Sequence, residues 1–169
     1  DADFYQQVSS SFGANGVARV REWQQLVQDI QGASDYVRLN RVNTFFNQNV
    51  TYANDIDHWK QKDYWATPVE TLATGSGDCE DYALFKKQAL IAAGISADRL
   101  LVAVALDRKR QVHAVLILRS DMGDFVLDNM TNRVLGWNQT GYTFLRMQDP
   151  RQPSRWVSTF VQAGGGLNS

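Results

Sequence analysis

Few residues in this chain can act as nucleophiles or bases, since it has one cysteine and two histidines. The cysteine, Cys79, follows a glycine- and serine-rich loop and begins a predicted helix. N–H groups at a helix start carry partial positive charge, which favours a thiolate, and glycines let a substrate backbone approach. The pattern predicts a nucleophilic cysteine. A small buried hydrophobe is the alternative, which the acidic neighbours disfavour.

A candidate base and a candidate orienting carboxylate follow Cys79 in the chain. His113 interrupts an otherwise apolar predicted strand 34 residues later, and Asp128 comes 15 residues after His113, near the end of the next strand. If these strands pair through the turn near residue 122, the two side chains lie roughly opposite each other, and Asp128 can orient the imidazole. Taken singly, His113 could be a core histidine and Asp128 a turn residue.

A second histidine and an aromatic loop offer competing assignments. His58 lies in a polar, aperiodic stretch without an obvious orienting group, so we interpret it as a surface residue. Backbone N–H groups at the start of the Cys79 helix could form part of an oxyanion hole. Tyr64 or Trp65 could add a side-chain donor, although packing explains these aromatics equally well.

Three carboxylates, Asp78, Glu80 and Asp81, surround Cys79 in the sequence. Their negative charge opposes a thiolate, and a hard cation would offset it. Ca²⁺ suits this role because it takes several oxygen ligands in flexible geometry. The alternative is helix capping, with Asp78 and Asp81 forming a capping-box-like pair. Capping leaves Glu80 without a role.

The length of 169 residues fits one compact domain better than two, and we predict a domain over residues 1–162 with a flexible tail at 163–169.

A net charge of −1, without a basic cluster, disfavours a nucleic-acid partner. No apolar run approaches the roughly 20 residues of a membrane-spanning helix, so no membrane insertion is expected. A lone cysteine permits no internal disulfide and leaves the cellular compartment open.

The residues that could do chemistry must be positioned by helices followed by strands. Helical periodicity and capping signals predict three helices, at Val17–Gln31, Asp35–Asn49 and Cys79–Ala93. Periodicity is lost between Tyr52 and Gly77. Short apolar runs predict strands at Arg99–Leu106, Gln111–Arg119, Asp124–Asn129, Tyr142–Met147 and Trp156–Val161. Helices followed by successive hairpins indicate an α+β fold with an antiparallel sheet.

Three motifs resemble a known family. They are Gly77-Asp78-Cys79-Glu80-Asp81-Tyr82-Ala83, Val112-His113-Ala114-Val115 and Leu127-Asp128-Asn129. Together they resemble the bacterial transglutaminase-like cysteine proteinases of the LapG type, over about residues 37–137. The resemblance implies a papain-like or transglutaminase-like core with Cys79 as nucleophile, His113 as general base and Asp128 as its orienter.

The same resemblance implies a biological role. It suggests a periplasmic, calcium-dependent endopeptidase, with Asp78 and Glu80 as Ca²⁺ ligands and Asp81 added because of its proximity. The implied substrate is a large surface adhesin, cut near its N-terminus at a di-alanine site to release biofilm cells. The implied partner is an inner-membrane cyclic-di-GMP receptor that sequesters the protease. Transglutaminase or amidase chemistry on the same triad, and an inactive calcium-stabilised binding module, remain alternatives.

Overall fold

The structure is a computed structural model that describes residues 2–52 and 76–162. The predictions for His58, Tyr64 and Trp65, and for the tail at 163–169, lie outside these residues. No helix in the described part of the chain is both long and apolar enough to cross a membrane.

Three α-helices are described, and they confirm the predicted helical segments with shifted ends. They are α1 (Ala2–Asp29), α2 (Asp35–Asn49) and α3 (Cys79–Ala92). Helix α1 begins at Ala2, 15 residues before the predicted Val17. Gly13 (φ 78°) interrupts its helical geometry, which resumes directly afterwards. The N-terminus of α2 is capped by Ser34, whose Oγ accepts a hydrogen bond from the Val37 N–H at 3.3 Å.

An antiparallel sheet follows the helices, as predicted, and it has six strands, one more than the sequence indicated. Its strands are β3 (Leu100–Leu106), β4 (Val112–Ser120), β5 (Gly123–Asp128), β6 (Thr131–Gly136), β7 (Thr143–Asp149) and β8 (Gln152–Gln162). Their spatial order is β6-β5-β4-β3-β7-β8, so β4 is central and β6 and β8 lie at the edges. The hairpin between β4 and β5 turns through Asp121 and Met122 into Gly123, whose φ of 118° suits glycine.

Both edge strands differ from the sequence prediction. Strand β6 was missed because Asn132, Arg133 and Gly136 leave it little apolar character. Strand β8 begins at Gln152 rather than Trp156 and includes Pro153. An edge strand tolerates proline because one side of its backbone has no ladder partner.

The register of β4 and β5 corrects the expected pairing of the site residues. Leu116 pairs with Leu127 and Ser120 with Gly123, so His113 and Asp128 are offset by two residues and are not directly opposite. In an antiparallel pair, such diagonal neighbours still share a face and remain within reach of long side chains. The side chains of His113 and Asp128 can therefore still contact each other despite the offset.

A short parallel pairing joins the loop before α3 to the end of α2. Strand β1 (Thr51–Tyr52) pairs with β2 (Ser76–Gly77), within the stretch where the sequence predicted no regular structure. Two-residue strands carry too little periodicity to be read from sequence. The pairing fixes the backbone immediately before Asp78 and Cys79.

Apolar side chains fill both faces of the sheet. On β4, Leu116 and Leu118 face the helices, where they join a cluster that includes Phe46 and Phe85. The alternate residues of β4 join a second cluster with β3, β5 and β7, made of Leu101, Ala103, Ala105, Val115, Ile117, Val126, Phe144 and Met147. Burial on both sides makes β4 a rigid platform, and His113 stands near its start.

Candidate active site

Cys79 is the first residue of α3, and its helix start is fixed by a reciprocal pair of hydrogen bonds. The Asp81 N–H donates to Asp78 Oδ1 at 3.0 Å, and the Asp78 N–H donates to Asp81 Oδ2 at 3.0 Å. This capping box holds the first turn, so the Cys79 side chain leaves the helix in a defined direction. Cys79 is a free thiol, partly exposed, and its Sγ accepts a hydrogen bond from the Ala114 N–H at 3.4 Å.

His113 and Asp128 meet at the same end of the sheet. The distance between His113 Nε2 and Asp128 Oδ1 is 2.6 Å, and both residues are largely buried, with exposures of 7% and 4%. Cys79 lies close enough to influence the imidazole, since its hydrogen-bonding and charge raise the pKa of His113. The structure thus brings together the three residues that the sequence singled out as nucleophile, base and orienter.

The charges of these groups support one another. Burial by itself lowers the pKa of His113, but hydrogen bonds to Asp128 and Cys79 and the charges of both raise it to about 10. Burial raises the pKa of Asp128, whereas its bond to His113 and the imidazolium charge hold it below its usual range. The imidazole is thereby kept cationic near neutral pH, the state that pairs with a thiolate.

A family model matches residues 17–163 of the chain, and its description is a bacterial transglutaminase-like cysteine proteinase. The match spans most of the 169 residues and includes all three site residues. The chain belongs to this family. It is therefore a cysteine protease, as the arrangement of Cys79, His113 and Asp128 predicted.

Solved structures of LapG from Legionella pneumophila are similar to this proteinase. One is 27% identical in sequence, covers 87% of this chain and 83% of its own, and superposes with a TM-score of 0.75. A calcium-bound form is 24% identical, covers 98% and 93%, and has a TM-score of 0.79, which supports the fold alone. An EGTA-treated form is 27% identical, covers 87% and 81%, and has a TM-score of 0.75. No curated protein matches the chain.

The proteinase has a further polar residue at the site that sequence reasoning missed. The Tyr142 hydroxyl donates to Asp128 Oδ2 at 2.5 Å, and the Tyr142 ring stands edge-on to His113, with centroids 5.8 Å apart. Burial, followed by the bond to Asp128, raises the pKa of Tyr142, so the phenol stays protonated and acts as a donor. In the sequence, Tyr142 is only an aromatic residue before a strand, and nothing local marks it.

Asp128 accepts two hydrogen bonds besides the one from His113. The Met130 N–H donates to Oδ1 at 3.1 Å, and Tyr142 occupies Oδ2. A carboxylate with this many donors stays ionised and cannot rotate freely. Asp128 is therefore held as a fixed acceptor for the imidazole.

The acidic residues around Cys79 differ in burial, and two of them, Asp78 and Asp81, form the capping box. Asp81 is 2% exposed, and its position in the capping box agrees with the capping interpretation. Asp78 and Glu80 are partly exposed. Within residues 2–52 and 76–162, no group of three or more His, Cys, Asp or Glu side chains is placed to hold a metal ion.

The donor chemistry of Asp78 and Glu80 fits a hard cation such as Ca²⁺, which binds carboxylate oxygens. The capping bond uses Oδ1 of Asp78, so capping and coordination through Oδ2 are compatible. Ca²⁺ takes about six to eight oxygens, more than two carboxylates supply. Backbone carbonyls and waters would complete such a site. Metal binding by Asp81 stays a prediction.

Proposed function

We propose that the proteinase is a calcium-dependent periplasmic endopeptidase, in which Cys79 is the nucleophile, His113 the general base and acid, and Asp128 the orienter. The observation that carries the catalytic proposal is the 2.6 Å contact between His113 and Asp128, with Cys79 beside the strand that carries His113. Cys79 is also the only cysteine of a chain that belongs to a cysteine proteinase family.

Acyl transfer on this site proceeds in two halves. In the resting enzyme His113 already carries the proton taken from the Cys79 thiol. Cys79 Sγ attacks the peptide carbonyl carbon, and the tetrahedral intermediate collapses with cleavage of the C–N bond when the imidazolium gives its proton to the leaving amine. Water then gives a proton to His113 and attacks the thioester carbonyl. The C–S bond breaks and the thiolate is restored beside the imidazolium. No external reductant or oxidant is involved.

The backbone around Cys79 suits the developing oxyanion. First-turn N–H groups of a helix have no intrahelical acceptor. The Asp81 N–H is used by Asp78 Oδ1, and the Tyr82 N–H bonds to Asp78 O at 3.0 Å. The Cys79 N–H, at the first helical position, is the donor that we assign to the oxyanion.

Asp78 and Glu80 would hold the calcium ion beside the nucleophile. When bound, Ca²⁺ would supply positive charge and rigidity to the loop that carries Cys79. Membership of the family, together with the likeness to LapG solved both in a calcium-bound and in an EGTA-treated form, supports this proposal. All bond making and breaking stays with Cys79, His113 and water.

We further propose that the substrate is a large surface adhesin, cut near its N-terminus at a di-alanine site to release biofilm cells. An inner-membrane cyclic-di-GMP receptor would bind and sequester the enzyme. Family membership and the three LapG-type sequence motifs support both partners. The partly exposed Cys79 is compatible with an extended polypeptide substrate, since a scissile carbonyl can reach it.

The deciding experiment is cleavage of an adhesin N-terminal fragment by the purified chain, with added CaCl₂ or excess EGTA, and with Cys79→Ala as the blank. We expect fragment cleavage that requires both Cys79 and Ca²⁺. Cleavage by Cys79→Ala would mean another nucleophile. Cleavage unaffected by EGTA would keep the triad and remove the calcium proposal. An inert fragment, together with amine transfer to a lysine-rich protein, would favour transglutaminase chemistry.

A further inference from the structure

Lys86 is a charged residue with no exposed surface, buried in α3 two turns after Cys79. Its ammonium donates to Asn47 Oδ1 at 2.8 Å and lies 5.5 Å from the centre of the Tyr82 ring. Burial lowers the pKa of Lys86 to about 7, although the charge of Asp128 partly opposes this shift. Burying an ammonium costs free energy unless its hydrogen-bonding partners compensate. The groups that it contacts therefore indicate its role.

Asn47, on α2, connects Lys86 to the end of β5, which carries Asp128. Its Nδ2 donates to the backbone oxygen of Asp128 at 2.8 Å and to that of Thr131 at 2.9 Å. An ammonium can only donate, so the bond to Lys86 turns the amide oxygen of Asn47 toward α3 and leaves both amide hydrogens for the two carbonyls. The ammonium therefore fixes the amide orientation.

Asn47 binds the chain at the point where β5 is no longer paired with β4. The β4–β5 ladder ends at Leu116 and Leu127, and the β5–β6 register shifts between Val126 and Asp128. Asp128 thus lies past the ladder that holds the rest of β5 against β4. Asp128 still pairs with Thr131 of β6, and the contacts from α2 add support at both residues, including one from Asn43 to Thr131 O at 2.9 Å.

We propose that Lys86 and Asn47 are positioning residues of the protease: the ammonium locks the Asn47 amide, and the amide holds the end of β5 so that the Asp128 carboxylate meets His113. The inference rests on the proposed role of Asp128. It links the helix that carries the nucleophile to the strand that carries the orienter, through three side-chain hydrogen bonds.

Lys87, the next residue of the helix, is a matched control. It is also buried, 6% exposed, and its Nζ donates to a side-chain amide oxygen, Gln148 Oε1, at 3.0 Å. That oxygen also accepts from the Val102 N–H at 2.9 Å, on β3. Lys87 therefore has the same chemistry and little exposed surface, but its contacts lead away from Asp128.

The experiment compares Lys86→Met, Asn47→Asp and Lys87→Met in the full chain. Two readouts are taken on folded protein: the rate at which iodoacetamide alkylates Cys79, the only thiol, at about pH 6, and kcat and KM for peptide cleavage. We expect Lys86→Met and Asn47→Asp to slow alkylation and to lower kcat by about 10- to 100-fold, with KM little changed, because the triad is misplaced. Lys87→Met should keep both rates within about twofold.

Asn47→Asp keeps a partner for the ammonium but removes the two amide donors, so it tests the link even if Lys86→Met fails to fold. Lys86→Arg keeps a charged donor and should recover part of the alkylation rate. Wild-type rates in folded Asn47→Asp, or equal losses in Lys86→Met and Lys87→Met, would overturn the proposal. Alkylation needs no substrate, so the two proposals can fail separately. If the protease assignment is wrong, the wild type will not cleave the peptide, but the alkylation rates of the variants will still differ from the wild-type rate.

Discussion

Asp128 gathers the polar contacts of the site on one carboxylate. It accepts from His113, Tyr142 and the Met130 N–H, and each contact comes from a different part of the chain. Because all three favour the ionised form, they hold its pKa below the usual range against the effect of burial. Two substitutions test these contacts. Asp128→Asn tests the effect of the carboxylate charge on His113, and Tyr142→Phe tests the hydrogen bond that orients the carboxylate.

Asp128→Asn removes the partner that raises the pKa of His113. A group whose pKa is higher when folded stabilises the fold fully below its unfolded pKa, near 6.5, and loses this contribution as the pH rises through the folded value of about 10. The wild-type free energy of unfolding should therefore fall over this range, by at most about 1.4 kcal/mol per pH unit. The fall should be smaller in Asp128→Asn. Urea unfolding at about pH 6, 8 and 10 measures it, and parallel curves would contradict the assigned coupling.

Tyr142→Phe keeps the ring beside His113 and removes the hydroxyl that donates to Asp128. A hydrogen bond to a charged group contributes about 1.5–3 kcal/mol, so we expect kcat to fall on the order of tenfold. KM should change little, because the hydroxyl contacts Asp128. Tyr36→Phe is the control, since Tyr36 is 75% exposed. Steady-state cleavage kinetics give the answer, and wild-type kcat in Tyr142→Phe would remove its orienting role.

At the scale of the element, the start of α3 combines capping with the proposed calcium site. Asp78 caps the helix through Oδ1, and its second oxygen is assigned to the cation. The two roles differ in chemistry, because a hydroxyl can cap a helix but is a weak substitute for a carboxylate at Ca²⁺.

Asp78→Ser should therefore keep the cap and lose the calcium response, whereas Asp78→Ala should lose both. In EGTA, Asp78→Ala should be about 1 kcal/mol less stable than wild type, and Asp78→Ser nearly unchanged. Ca²⁺ at about a hundredfold excess over its Kd should raise the wild-type Tm by roughly 5–10 °C and raise neither variant. Thermal unfolding with and without CaCl₂ tests this. A full calcium shift in Asp78→Ser would place the ion elsewhere.

At the scale of the whole molecule, the site depends on a sheet that is covered on both faces. Leu116 belongs to the cluster beneath the helices and Ile117 to the cluster on the opposite face, and neither has exposed surface. Strand β4 connects these two clusters and carries His113 near its start. A loss of packing on either face should therefore weaken the same strand.

Leu116→Ala and Ile117→Ala should each lower the free energy of unfolding by about 2–5 kcal/mol, because each leaves a cavity in a dense core. Val112→Ala, at a residue that is 73% exposed on the same strand, should cost less than about 0.5 kcal/mol. Urea titration at fixed pH compares the three variants. A small effect of Ile117→Ala would mean that the second face contributes little to the core.

The sequence by itself determined the local features of the protein. Cys79 at a helix start, a capping pair at Asp78 and Asp81, and His113 in an apolar strand are each encoded within a few neighbouring residues, and the structure has all of them. Helical and strand periodicity likewise predicted the α+β order of elements. These signals survive because propensity, capping and burial pattern act over one or two turns or a single strand.

Tertiary structure alone decided the contacts that complete the site. The Tyr142 hydroxyl on Asp128 and the burial of Lys86 against Asn47 join residues from separate elements. Asn47 and Asp128, for example, are 81 residues apart. The two-residue offset of β4 and β5 and the unrecognised edge strand β6 are choices of register within hairpins. Contacts of the first kind form only when long loops close, and the register is selected by the packed faces; composition and periodicity predict neither.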